Sequence, residues 1–336
     1  MLVDEAAHSS EMETMMALIA NLNMSQHGRL HAVLVGDPMQ LRPVFVCHHE
    51  TLRFVDENRN FHFPIRMLRQ FDSMFERLYR TNRCTVSWLT HHYRSHPAMA
   101  RLTTRHIYRD LLLFPRPEDE FDAPYNNVSG AEGLQPLTII DTRMALERFE
   151  TNGRFHEVLS DGAMGNGLEA ELVNKLMHRV FQHCGDVDLT NEIVAASPYQ
   201  THNELIRAYV NGSFLNSQNG PGRDLNVVID TIDALQGSER QVAIISLCRS
   251  NRQRNIGFLT DAARLNVALT RAKRLLIIIG DFSTMTRSQV ISNLYNSVCA
   301  GQPRTRIEFY RPRSARQIDR REQAFAQRVQ LSLGQQ

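Results

Sequence analysis

Cysteine is scarce and unpaired. The five residues, Cys47, Cys84, Cys184, Cys248 and Cys299, form no C-x-x-C pair and no even framework. That excludes a disulfide-stapled secreted fold and suits reduced thiols inside a cell. The histidines near them, His48 and His49 beside Cys47 and His91, His92 and His96 after Cys84, lack the paired spacing of zinc ligands. No apolar run approaches the length of a membrane span, and no basic flank with an apolar signal core opens the chain. A cytoplasmic or nuclear protein without membrane contact is therefore expected. Net charge is low too, +2 over 336 residues, so any nucleic-acid surface has to come from local arrangement rather than bulk charge.

What is present is ordinary globular material, 42 % hydrophobic and 22 % charged, with room for two domains. The most apolar stretch is LNVALTRAKRLLIIIGD, Leu265 to Asp281. Its first half has helical spacing at Leu265, Val267, Ala268, Leu269 and Ala272, and Leu275 to Ile279 is a short run of the kind buried on both faces of a parallel sheet. This spacing predicts Arg271 and Lys273 near the end of a helix, beside the carboxyl ends of the strands, where open α/β sheets bind ligands. Further strands are predicted at Pro136 to Asp141, Glu192 to Ala196, Asn226 to Ile229 and Gln241 to Leu247, separated by helical patterns. That alternation indicates βαβ crossovers and a parallel, helix-covered α/β sheet.

Several boundaries are legible. Asn166-Gly-Leu-Glu169 has the form of a capping box, and Ser95 with Pro97 marks a helix start. Phe71, Met74, Phe75 and Leu78 lie at helical spacing and are assigned to packing. Residues 114–136 and 144–168 are breaks in composition, and an arginine-rich tail from Arg304 suits an acidic or nucleic-acid partner, or simply solvent.

Two strands end in carboxylates. MLVDEAAHSSE delivers Asp4 and Glu5, and HAVLVGDPMQLRPV delivers Asp37, turns at Pro38 and follows with Gln40. Nucleotide hydrolases use such a pair to hold Mg²⁺ and to take a proton from the attacking water. An amide such as Gln40 can bond both a phosphate and a water, and a leaving phosphate calls for guanidinium donors such as Arg94 and Arg271.

In order, these motifs resemble superfamily 1 helicases, in the branch that includes the nonsense-mediated-decay helicase. VDEAAHSSE resembles that family's Walker B motif and VLVGDPMQLRPV its motif III. HHYRSHPAM, TIDALQGSERQVAIISLCRSN and LNVALTRAKRLLIIIGD are similar to its Q-Y-R-M-H-P, Q-G-x-E and final arginine motifs; SMFERL, NGLEAE and SPY match intervening blocks. The resemblance covers residues 1 to about 285 and implies RecA-like domains of the P-loop NTPase type, with parallel sheets covered by helices on both faces and ATP between the domains. It further implies nucleic-acid translocation or unwinding driven by ATP with Mg²⁺, a single-stranded RNA or DNA partner and a monomer.

Carried across residue by residue, the resemblance implies Asp4 as Mg²⁺ ligand, Glu5 as base, Gln40 as phosphate sensor, and Arg94 and Arg271 as the arginines of the second domain. Asp37 joins the nucleotide site, Tyr93 lies against adenine, Gly237 and Glu239 make ribose-side and phosphate-side contacts, and Thr231 with Ser197, Pro198 and Tyr199 faces the nucleic acid. Three positions depart from the pattern: His92 and His202 stand where glutamine is usual, and Ala234 where a hydroxyl is common. A G-x-x-x-x-G-K-[ST] phosphate loop is missing, and Gly162 to Gly167 resembles one but lacks the lysine. The expected organisation is the C-terminal part of a first RecA-like domain over residues 1–85, a complete second domain over 86–300 and a basic tail over 301–336. Such a chain is expected to be inactive alone and to leave an exposed apolar edge on its first sheet. The rival expectation is a non-catalytic nucleic-acid- or protein-binding module derived from a helicase.

Overall fold

A computed structural model describes residues 1–24, 31–43, 73–121, 134–147, 157–160, 163–184, 191–216 and 227–310. The chain forms two compact units, Met1–Leu89 and Thr90–Gln336, dividing four residues beyond the expected boundary.

In the first unit, β1 (Leu2–Val3) and β2 (Val33–Leu34) pair in parallel, with Leu2 opposite Val33 and Val3 opposite Leu34. Helix α1 (Glu11–Met24) opens with a capping box: Ser10 Oγ accepts from Glu13 N, and Glu13 Oε2 accepts from Ser10 N. A sheet of two strands covers little, so Leu2 and Val33 stay exposed, as do Met12, Met16 and Ile19 on α1. Helix α2 (Met74–Arg80) is capped by Ser73, whose Oγ accepts from Glu76 N. Met74 is buried in it, while Phe71 lies outside the described residues.

The second unit is built on six strands: β3 (Leu137–Asp141), β6 (Ile193–Ser197), β7 (Val228–Thr231), β8 (Arg240–Ser246), β9 (Ala272–Gly280) and β10 (Thr305–Phe309). They lie in the order β10-β3-β9-β8-β6-β7, every pairing parallel. Alternate residues divide the two faces. Ile193, Ala195, Val242, Ile244, Leu275 and Ile277 join one core cluster with Leu172, Val173 and Leu176 of α5 (Gly167–Cys184) and Ile206 of α6 (Gln200–Asn216). The residues between them, Val194, Ala243, Ile245, Leu276 and Ile278, are equally buried on the opposite face. Each large aliphatic side chain buried this way contributes about 1.5–3 kcal/mol, which is why these segments read as unbroken apolar runs rather than alternating ones.

The predicted strands appear within a few residues of expectation, with three differences. β9 begins at Ala272, so the helix before it, α7 (Ala262–Leu269), stops short of Arg271 and Lys273. β10 falls inside the stretch expected to be tail, paired with β3 from Thr305↔Leu137 to Phe309↔Asp141, because Ile307 and Phe309 supply apolar residues at strand spacing. The composition break at 144–168 contains α4 (Arg143–Glu147) and an antiparallel pair, β4 (Glu157–Ser160) with β5 (Ala163–Asn166).

Helix α3 (Pro97–Tyr108) begins one residue later than expected. His96 is its cap, through Nδ1 accepting from Ala98 N, while Ser95 Oγ donates to Ala272 O. The short α8 (Phe282–Met285) follows β9, and α9 (Gln289–Cys299) buries Ile291, Leu294, Tyr295 and Val298, one stripe at helical spacing.

Candidate functional site

In the first unit the pairing of β1 with β2 sets the site, because parallel strands release their carboxyl ends at one edge. Val35 N donates to Val3 O and Ala6 N to Val35 O, both at 2.8 Å, so Asp4-Glu5 and Gly36-Asp37 leave the sheet together. A Cβ on Gly36 would lie 2.8 Å from Ala7 N, and glycine permits that approach. Glu5 adopts φ +50, a left-handed conformation uncommon outside glycine, with its N–H donating to Asp4 Oδ1 at 2.9 Å. Asp37 accepts from Met39 N at 2.9 Å and from Gln40 Nε2 at 3.1 Å, which ties the Gln40 amide to the carboxylate. Asp4, Glu5, Asp37 and Gln40 therefore belong to one small surface of the first unit. A single strand-end carboxylate such as Asp4 is compatible with Mg²⁺, which keeps several waters and takes one or two carboxylates beside substrate phosphates.

In the second unit the remaining residues divide between the two ends of the sheet. At the amino ends, His96 N donates to Lys273 O at 2.7 Å and Ser95 Oγ to Ala272 O at 2.6 Å, strapping the HYRSHP segment across the start of β9. That places Arg94 Nε 2.5 Å from Glu239 Oε2, while Lys273 Nζ lies 2.7 Å from Glu239 Oε1. The β8–β9 register shifts by one residue between Arg240 and Val242, a bulge that re-aims the side chains at this end. The hydrogen bond from Lys273, with Arg94 adding its charge, holds the Glu239 carboxyl below the usual glutamate range. Gly237 has φ +74 with open space around it, so the backbone angle is what calls for glycine. Tyr93 is exposed and stacks on His91 with ring centroids 6.2 Å apart.

Arg271 does not project as expected. It is 1 % exposed, and its guanidinium donates to the carbonyls of Val267, Leu235 and Ser238 and to Thr270 Oγ1. The side chain ties the end of α7 to the Gln236–Glu239 loop. Nor do Arg271 and Lys273 lie at carboxyl ends; both are at the amino end of β9, because the strand starts earlier than its apolar run.

The carboxyl ends hold the residues expected to face nucleic acid. Tyr199 and Thr231 are half-buried, with Thr231 Oγ1 accepting from Ala234 N. Ser197 is fully buried, and its carbonyl accepts from Ile232 N and Asn203 Nδ2, so it supports Pro198 and Tyr199 without facing solvent.

Both histidines standing where glutamine is usual do an amide oxygen's work. His92 Nε2 accepts from Ser95 N at 3.1 Å, and burial, with Arg94 nearby, pushes its pKa down to about 4. His202 Nδ1 accepts from Asn166 N at 3.3 Å; its Nε2–H then donates to Ser246 Oγ at 2.8 Å, and that hydroxyl to Glu169 Oε2 at 2.6 Å. Burial lowers the His202 pKa to about 3. Glu169, fully buried, also accepts from Asn166 Nδ2 and Cys248 N, so the predicted capping box is one corner of a network binding α5, α6 and the end of β8. No sequence spacing pointed to Ser246 or Cys248, which join this network only through the parallel pairing of β6 with β8.

A parallel sheet buried on both faces in the second unit, with carboxylates at the strand ends of the first, has the form of a RecA-like α/β protein. Family profiles described as AAA domain match residues 71–283 and residues 1–47. The chain belongs to this family and to the superfamily 1 helicases. It is 29 % identical over 85 % of its length to a probable helicase of Dictyostelium discoideum, 27 % over 86 % to probable helicase senataxin of Homo sapiens, and 29 % over 87 % to the regulator of nonsense transcripts 1 homolog of Neurospora crassa. It spans only 25 %, 10 % and 23 % of those relatives. Among solved structures, the C-terminal domain of a possible DNA helicase from a Lactobacillus aligns with 56 % of the chain at 12 % identity and a TM-score of 0.30, too loose a likeness to bear on the fold.

Proposed function

We propose that these residues serve an ATP-dependent helicase, in which hydrolysis of ATP drives movement along, or separation of, single-stranded RNA or DNA. The observation that carries the reading is the joint exit of Asp4-Glu5 and Asp37-Gln40 from adjacent parallel strands. That is the edge at which open α/β sheets take their ligands.

Asp4 would hold Mg²⁺, which when bound neutralises phosphate charge, with Asp37 beside it in the nucleotide site. Glu5 takes the proton of the attacking water, and its left-handed backbone turns it out of the strand line. Gln40, held by Asp37, orients that water and senses the terminal phosphate. On the second unit Arg94 and Lys273, paired with Glu239, are cations suited to phosphate oxygens. Arg271 acts by shaping the loop that carries Gly237 and Glu239, and Tyr93 offers its exposed ring to the base. Tyr199 and Thr231 meet the nucleic acid at the carboxyl ends of β6 and β7.

The experiment is ATP-driven displacement of a labelled strand from a partial duplex, by the 336-residue chain and by any longer product that contains it. Displacement that requires ATP supports the reading. If neither displaces the strand while single strands still bind, the chain is a non-catalytic binding module of helicase descent. The sequence feature favouring that second reading is the lack of a G-x-x-x-x-G-K-[ST] loop within residues 1–336.

A further inference from the structure

The carboxyl end of β8 carries groups that the hydrolysis reading leaves unused. Beyond Ser246 the chain turns at Cys248, with φ +67, into a segment from Arg249 to Thr260 that holds Arg249, Arg252 and Arg254 and no acidic residue. Within it Gly257 adopts φ +57, and a Cβ there would lie 2.1 Å from Tyr199 Oη. Glycine alone lets the backbone pass so close to that ring. Phe258 thereby stands beside Tyr199, ring centroids 5.2 Å apart and planes inclined by 33°. It remains 55 % exposed. Arg249 Nη1 donates to Tyr199 Oη at 3.3 Å, and Arg264, already paired with both oxygens of Asp233, lies 5.4 Å from the Phe258 centroid.

A single exposed aromatic is unremarkable by itself, since surfaces carry many apolar atoms. Here four features coincide: an open ring, a second ring behind it, a glycine that sets the pair, and three arginines with no acidic residue along the same segment. Aromatic faces beside cations are how single strands are held without base-specific hydrogen bonds, since every base has a π-face and every nucleotide a phosphate. We propose that Phe258, backed by Tyr199, is a base-stacking platform for single-stranded nucleic acid, with Arg249 and Arg252 along its phosphates. The inference rests on the nucleic-acid reading above and adds residues to it.

The test uses the full chain with labelled oligo(U) and oligo(dT) of about 12 nucleotides, a length within one single-strand site. Phe258→Leu, with an unchanged circular-dichroism spectrum, is expected to weaken binding by about tenfold, and Phe258→Tyr to restore it. Arg252→Gln is expected to lower the slope of log affinity against log salt by about 0.7. Phe258→Trp reports stacking directly: either oligonucleotide is expected to quench its emission beyond the Trp88 background of the parent chain. Parent-like affinity in Phe258→Leu, or an unquenched tryptophan while the oligonucleotide binds, overturns the platform and leaves the helicase reading standing. No binding by the parent chain at low salt overturns both.

Discussion

Arg94 and Lys273 share one carboxylate: Arg94 Nε lies 2.5 Å from one oxygen of Glu239 and Lys273 Nζ 2.7 Å from the other. The three groups are each about a third exposed, so the arrangement contributes modestly, about 0–1 kcal/mol per pair after screening. Its pH dependence has a definite sign. The folded-state pKa of Glu239 is depressed, so its stabilisation is present above the ordinary glutamate range and is lost as pH falls through the folded value. Glu239→Gln is therefore expected to lower the urea midpoint slightly at neutral pH, and the difference from the parent to shrink at a pH below the ordinary glutamate range. An equal difference at both pH values would contradict the ion-pair account.

Removing Arg271 has a structural consequence. Arg271→Ala strips the donor from three carbonyls and empties a buried volume, which is expected to cost about 2–4 kcal/mol. Arg271→Lys is expected to recover little, because one ammonium cannot reproduce the guanidinium fork. Chemical denaturation measures both. Parent-like stability in Arg271→Ala would mean that the side chain is not held as described, and would return it to the role of a free catalytic arginine.

His202 gives the fold a pH dependence that glutamine at its position would not. It stays neutral in the folded state, with a pKa of about 3, and gains a proton in the unfolded chain near 6.5. Between those values the unfolded state binds more protons, so stability falls as pH is lowered, by at most about 1.4 kcal/mol per unit. The parent is expected to lose up to about 2 kcal/mol between pH ~7 and pH ~5 from this group, and His202→Gln to lose that much less. Unfolding free energies of the two proteins at both pH values decide it; parallel losses would remove His202 from the account.

The strands were legible because the sheet is buried on both faces, so that Leu275 to Ile279 and its neighbours are apolar without interruption. Where the candidate residues would lie was less legible. Arg271 is one of three arginine and lysine residues just beyond a helical pattern, with Lys273 and Arg274, and nothing in its spacing distinguishes a guanidinium buried on carbonyls from one in solvent. The start of β9 was hidden for a related reason: Lys273 and Arg274 are polar yet belong to the strand, where Glu239 and Gln241 across the sheet take up their side chains. β10 was masked by an arginine-rich composition, although Arg306 and Arg179 both find Glu308. The Glu169–Ser246–His202 chain joins residues far apart in sequence and exists only once β6 and β8 are side by side.

The most direct test of the account is ATP hydrolysis with and without single-stranded RNA or DNA, beside Glu5→Gln, on the chain and on any longer product that contains it. The account predicts ATP hydrolysis that is faster with nucleic acid present. Glu5→Gln is predicted to remove that turnover by on the order of 10²-fold or more, as for loss of a positioned base. Stimulated turnover that survives Glu5→Gln would contradict it, because the proton of the attacking water would then go elsewhere.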